Sequence, residues 1–320
     1  MFFSLRKGME VCMAINKAMR IALKALSYPD LDMKKTYKLQ RQLTTAAHPV
    51  IKPLYKMWDH KVSAGGHEIP VRIFLPSPEY ALKKLLVFFH GGGWVIGNID
   101  TYTNVCANMA KQTGHLVISV DYRLAPEHKF PAAPEDCYAV TKEIYENAKL
   151  FDVKQEDITL IGDSAGGNLA AAVSLMARDR GSFLPARQIL IYPSADSDHS
   201  ENSPYPSLVE NGTDFLLTTK RICEYIDLYK SSDGDLQNPY LAPIRAENLS
   251  RQPRTLIITA QYDPLRDEAE AYGKKLFEAG NQVEVYRMKD ALHGFLSLPR
   301  RFVHVKRCYE LMNRFLNGSE

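Results

Sequence analysis

The residues with the clearest chemical potential lie in Gly162-Asp163-Ser164-Ala165-Gly166, which fits G-x-S-x-G. An apolar run, 158–161, precedes the pattern and an alanine-rich stretch follows it, so the serine is expected on a tight turn between a strand and a helix. Such a turn holds the hydroxyl out above the end of a sheet. Gly162 and Gly166 lack Cβ atoms, which lets the strand and helix backbones approach closely around it. The helix N-terminus adds unpaired N–H groups and positive potential, both suited to an oxyanion. A serine hydroxyl is a weak nucleophile. The turn is therefore useful only if the chain also supplies a base, an acid that orients the base, and further oxyanion donors.

The elements that must position these groups follow from apolar periodicity. Two helices are expected first, over 9–27 and about 33–47, the second ending before His48-Pro49. The first is basic and amphipathic; packing on the protein's own body is preferred over lying on a membrane. Stretches 58–63 and 68–75 read as a hairpin around Ala64-Gly65-Gly66-His67. From there strands and helices alternate. Strands are expected at 85–89, 116–120, 158–161, 189–191, 256–259 and 283–287, and helices at 102–112, 133–147, 165–179, 266–279 and 301–315. Gly280 reads as a C-terminal cap. The rhythm breaks over 194–235, where a Ser/Asp/Asn/Pro-rich loop precedes a helix at 218–229. Repeated βα units imply an α/β fold with a mostly parallel, doubly wound sheet covered by helices.

Ligands of open parallel sheets bind beyond the carboxyl ends of the strands. At those ends fall His90-Gly91-Gly92-Gly93-Trp94, then Ser164, then Tyr262-Asp263-Pro264, then His293-Gly294-Phe295. The order Ser, Asp, His is that of α/β-hydrolases. His293 offers a base with a pKa suited to neutral pH, and Asp263 a carboxylate to fix its tautomer. Glu268 and Asp290 compete for the acid's role; Asp263 is preferred because it directly follows a strand and precedes a proline. The N–H groups of Gly91, Gly92 and Ala165 are the expected oxyanion donors. Trp94 is read equally as an acyl-pocket wall or as core packing.

Other chemistries fail on spacing. Asn168-Leu169 stands where a Walker motif needs Lys-Ser/Thr, Ile96 replaces the third glycine of a dinucleotide fingerprint, and Val71 replaces the second histidine of a zincin motif. No metal, phosphate or nucleotide cofactor is expected. The chain has 320 residues, 45% hydrophobic and 24% charged, as in ordinary globular enzymes. A formal charge of +3 argues for no nucleic-acid partner. Five scattered cysteines, with no C-x-x-C, suit reduced thiols and a cytoplasmic location. Charges interrupt the first 26 residues throughout, so neither a signal-peptide core nor stable membrane insertion is expected.

Jointly, His90-Gly91-Gly92-Gly93-Trp94, Asp121-Tyr122-Arg123-Leu124-Ala125-Pro126-Glu127, Gly162-Asp163-Ser164-Ala165-Gly166-Gly167-Asn168, Asp263-Pro264-Leu265 and His293-Gly294-Phe295 resemble the hormone-sensitive-lipase family of α/β-hydrolases. That group includes bacterial acetyl esterases and arylacetamide deacetylase. The resemblance implies nucleophile Ser164, acid Asp263, base His293 and an oxyanion hole of Gly91, Gly92 and Ala165. It also implies a helical cap, which residues 1–50 and 194–235 fit, over a core of 51–193 and 236–320. It makes the run 121–127 a structural segment near the site. The implied activity is cofactor-free hydrolysis of short-chain esters, acetyl to about hexanoyl, through an acyl-enzyme. Three alternatives stand beside it: amide cleavage by the same triad, as in a deacetylase or formamidase; a membrane-docked lipase; and a non-catalytic binder, which the presence of His293 disfavours. A small-molecule ester is the expected partner, and a homodimer through an edge strand is left open.

Overall fold

The structure is a computed structural model describing residues 5–7, 23–24, 32–48, 50, 56–76 and 84–318. The helix expected over 9–27 lies outside the described residues except at 23–24, which are helical. In chain order the main elements are β1 (Leu5–Lys7), α1 (Met33–Ala47), β2 (Met57–Ala64), β3 (His67–Phe74), β4 (Leu85–Phe89), α2 (Thr103–Thr113), β5 (Leu116–Val120), α3 (Ala132–Glu146), β6 (Ile158–Asp163), α4 (Ala165–Arg180) and β7 (Arg187–Ile191). They continue with the short α5 (Ser207–Glu210), α6 (Thr219–Tyr229), β8 (Arg254–Tyr262), α7 (Arg266–Glu278), β9 (Val283–Leu292) and α8 (Val303–Asn317).

Among the described residues the strands form one sheet in the order β1-β9-β8-β7-β6-β4-β5-β3-β2. Only β3 runs antiparallel to its neighbours β5 and β2; every other pairing is parallel. Strands β4 and β5 are buried at every position because helices cover both faces. Pleating sorts their side chains. Leu85, Val87 and Phe89 join a core with α3, α4 and α7, while Leu86 and Phe88 join one with α2 and α8.

Two features depart from the expected layout. Leu5–Lys7 fell within the stretch assigned to cap helices, yet it pairs in parallel with Val285, Tyr286 and Arg287 as an edge strand of the sheet. Three residues carry no usable period, so pairing with a distant partner decides their conformation. Strands β8 and β9 are also longer than the apolar runs that revealed them. Thr255, outside the expected strand, is buried with its hydroxyl accepting from Gln188 Nε2 at 2.9 Å.

The segment between β7 and β8 folds back over the carboxyl ends of the strands. Its helix α6 is capped by Thr218, whose side chain accepts from the Arg221 N–H. Helix α1 packs beside it: the Met33 N–H donates to Glu224 Oε2 at 3.0 Å and Lys34 Nζ to Asp227 at 2.9 Å. No helix among the described residues is long and apolar enough to cross a membrane.

Candidate active site

Ser164 sits between the last residue of β6 and the first of α4, at φ 54° and ψ −120°. Non-glycine residues rarely adopt a positive φ, and the surroundings hold this one there. The Ser164 N–H donates to Ile191 O at 2.9 Å, and its carbonyl accepts from Asn168 at 3.0 Å. The flanking glycines are required by space. A Cβ on Gly162 would lie 2.2 Å from Gly166 O, and one on Gly166 would lie 1.9 Å from Phe89 O. The turn therefore aims the hydroxyl into a pocket of about 170 Å³.

His293 follows β9 and reaches Ser164 from the neighbouring loop: Nε2 lies 2.9 Å from Ser164 Oγ, and Nδ1 lies 2.7 Å from Asp263 Oδ2. Asp263 is fully buried after β8, and its other oxygen accepts from the Leu265 N–H at 2.9 Å. A carboxylate only accepts, so the imidazole Nδ1 carries the proton shared with Asp263, leaving Nε2 free to accept from Ser164. The competing acids do not take this place. Glu268 pairs with His199 at 2.7 Å and accepts from the Ala195 and Asp196 N–H groups, and the carboxylate on His293 Nδ1 is that of Asp263, not Asp290.

The glycine loop requires one correction. Gly91 was an expected oxyanion donor, but its N–H donates to Asp163 Oδ1 at 2.9 Å and is shared with Tyr102 Oη at 3.2 Å. A donor engaged by a buried carboxylate does not face a developing oxyanion. Gly92, Gly93 and Ala165 line the Ser164 pocket, and among the described residues their N–H groups have no hydrogen-bond acceptor. Gly93 is tightly packed: at φ 60°, a Cβ there would lie 2.4 Å from the Tyr225 ring on α6. Trp94 is packed between the pocket and the core. It lines the pocket, is 3% exposed, and stacks on Tyr229 with ring centroids 4.5 Å apart.

Asp163 is the residue that reading the motifs missed. Besides Gly91, it accepts from the Tyr102 hydroxyl at 3.0 Å and the Tyr192 hydroxyl at 3.3 Å. Tyr192 in turn accepts from the Leu296 N–H at 3.2 Å, just past His293. One carboxylate thus ties the nucleophile turn to the glycine loop and to the histidine loop. Burial pushes its pKa up to about 6, opposed by the three donors and by nearby His293. The signal was present in sequence: an acid beside a buried nucleophile must find donors of its own.

The segment 121–127 braces the same loop. The Tyr122 hydroxyl donates to His90 O at 2.7 Å, and its ring stacks on the His90 imidazole at 4.3 Å. Burial lowers the His90 pKa to about 4, so this imidazole is neutral. Arg41 of α1 donates to Val95 O and Ala125 O, each at 2.6 Å, and grips Glu127. Among the described residues no group of three His, Cys, Asp or Glu side chains is placed to hold a metal ion.

The family described as the alpha/beta hydrolase fold matches residues 86–297. The chain belongs to this family, on its hormone-sensitive-lipase-like side. Among its α/β-hydrolase relatives, esterase LipI of Mycobacterium tuberculosis is 37% identical over 262 residues, covering 81% of this chain and 80% of its own. An arylesterase of Saccharolobus solfataricus is 36% identical over 249 residues, covering 78% and 79%. A solved hyperthermophilic esterase from the archaeon Pyrobaculum calidifontis superimposes with a TM-score of 0.82 at 34% identity, covering 95% of this chain and 98% of its own.

Proposed function

We propose that this α/β hydrolase is a serine carboxylesterase acting on short-chain esters, acetyl to about hexanoyl. The observation that carries the reading is the continuous chain Asp263–His293–Ser164, with contacts of 2.7 and 2.9 Å, at the wall of a pocket. The names of the relatives, esterase LipI and an arylesterase, support the same class.

In this reading Ser164 Oγ attacks the ester carbonyl while His293 Nε2 takes its proton, and Asp263 stabilises the imidazolium. The carbonyl oxygen, now negative, is held by the N–H groups of Gly92, Gly93 and Ala165. His293 returns the proton to the leaving alkoxide, giving an alcohol and an acyl-Ser164. Water activated by His293 then releases the acid. The steps need no cofactor. Leu217, Ile222 and Tyr225 close the pocket on the cap side, supporting a preference for short acyl groups. The cap consists of α1 with the segment 194–235. The free thiols of Cys106, Cys137, Cys223 and Cys308 suit the proposed cytoplasmic location.

The test is hydrolysis of p-nitrophenyl esters from acetate to palmitate by the wild type and Ser164→Ala. Activity should peak at short chains and fall about 10⁴-fold or more in the variant. A variant as active as the wild type would remove Ser164 from the reaction. A matched acetate ester and acetamide would separate ester from amide cleavage: faster turnover of the amide would replace the proposed class.

A further inference from the structure

A second cavity of about 550 Å³ lies on the other side of the glycine loop. It shares Gly92, Tyr102 and Ser297 with the pocket of Ser164, so the two are contiguous at the reacting centre. Its outer wall is the loop that leaves His293, through Leu298, Pro299 and Arg300, facing the end of α1 at Thr44 and His48. None of the roles assigned above uses this space.

The direction of the reaction says which part of an ester enters it. The carbonyl oxygen must lie against Gly92, Gly93 and Ala165. The leaving oxygen must lie within reach of His293 Nε2, because that nitrogen protonates it. Substituents on the leaving oxygen therefore run along the loop that follows His293, and Ser297 to Arg300 of that loop line the second cavity. The acyl group points the other way, toward Trp94, Leu217, Ile222 and Tyr225.

The charges of the two spaces differ. Asp163 lines the Ser164 pocket and places a carboxylate beside it. No Asp or Glu lines the second cavity, whereas Arg300 and His48 do, with the amides of Asn104 and Asn108. Arg300 forms no ion pair among the described residues. Helix α8 begins nearby, its Val305 lining the wall, and its N-terminus adds positive potential. Ile96, Val105 and Leu298 supply apolar surface below this cationic rim. An anionic acyl group would be repelled by Asp163; an anionic alcohol would meet Arg300 and the two amides, and no carboxylate.

Resting on the esterase reading, we propose that this second cavity is the alcohol subsite, and that it selects esters whose alcohol moiety carries an anionic group on a short apolar body. Arg300 is the specificity residue.

The test compares two acetates, 4-(carboxymethyl)phenyl acetate and 4-ethylphenyl acetate. The methylene insulates the phenol from the carboxylate, so the leaving groups are chemically matched. The wild type should favour the anionic ester about three- to fivefold in kcat/KM, the scale of an exposed charge pair. The preference should reside in KM and shrink as salt is added. In Arg300→Gln the ratio should fall to about one. Equal turnover of the two esters by the wild type, or an unchanged ratio in Arg300→Gln, would overturn the proposal. Turnover of neither ester would instead overturn the esterase reading beneath it. A second variant, Asn108→Trp, narrows the cavity from a half-buried helix position. It should slow aryl acetates relative to methyl acetate. If it slowed methyl hexanoate relative to methyl acetate instead, the cavity would hold the acyl group and the assignment would be reversed.

Discussion

Replacing Asp163 by Asn should make the protein more stable and the enzyme slower. The exchange keeps the shape of the side chain and removes its charge. Burial raises the Asp163 pKa from the ordinary 3.8 to about 6, so the folded state binds this proton more tightly than the unfolded chain does. At pH 7 the group is ionised in both states. Keeping it charged inside the protein therefore costs about 3 kcal/mol, from the two values at about 1.36 kcal/mol per pH unit. The sign follows: the penalty is absent below about pH 4, develops as pH rises through about 6, and is constant above that. Asn removes it but must turn its N–H₂ either toward the Gly91 N–H or toward the two tyrosine hydroxyls that share Oδ2, at a loss of roughly 1–2 kcal/mol. The net expectation at neutral pH is a gain of roughly 1–2 kcal/mol, read as a raised Tm, with no gain at pH 4.

Catalysis should move the other way. Asp163 holds the Gly91 N–H and, through Tyr192, the loop behind His293; its charge also favours the imidazolium. Losing an oxyanion donor outright costs about 10²–10³ in rate. Asp163 positions the donors without being one, so kcat should fall about 10- to 100-fold with KM little changed. The wild type should lose activity on the acid side as Asp163 takes up its proton near pH 6, and the variant should lack that ionisation. Initial rates on p-nitrophenyl acetate from pH 4.5 to 8, beside thermal melts at pH 4 and 7, test both halves. Wild-type kcat in the variant at pH 7 would refute the positioning role. A lower Tm at pH 7 would refute the electrostatic argument.

Two further outcomes follow from the packing. Gly93→Ala sets a methyl 2.4 Å from the Tyr225 ring at a φ of 60°, so kcat/KM on p-nitrophenyl acetate should drop about 10²-fold. Adding Tyr225→Ala should restore part of that loss if the clash, rather than backbone strain, displaces the donor. His199→Leu leaves Glu268 buried without its cation and should lower stability by about 3–5 kcal/mol at pH 6, measured by urea denaturation. Glu268, against the cost of burial, holds the His199 pKa above 6.5, so its stabilisation is complete below 6.5 and fades as pH rises through the raised value. The gap between variant and wild type should narrow accordingly toward alkaline pH.

The parts of the fold legible in sequence are those that a local pattern dictates. Leu85–Phe89 and Leu116–Val120 are apolar at nearly every position because both faces of a parallel sheet are covered, and the structure begins and ends them at the expected residues. Met33–Ala47 shows its period and stops before a proline. Ser164, Asp263 and His293 were found because parallel topology puts strand ends on one side of the sheet, so residues far apart in sequence share an edge. Gly91 shows where such reasoning stops. Sequence gives glycine its freedom but not the direction of its N–H, which a carboxylate 72 residues away decides.

The same limit explains the three acids. Asp163, Asp263 and Glu268 are all buried near the carboxyl edge of the sheet. Burial of a carboxylate is tolerable only where donors meet it, so the donors settle the roles. Asp263 is left for His293 because Gly91 and two tyrosines satisfy Asp163, while His199 and two backbone N–H groups satisfy Glu268. Those donors come from the glycine loop, the residue just before α2 and the segment after β7. No spacing within a motif encodes them. The acid that reaches the imidazole of His293 is the one whose other oxygen is met by a single backbone N–H, that of Leu265.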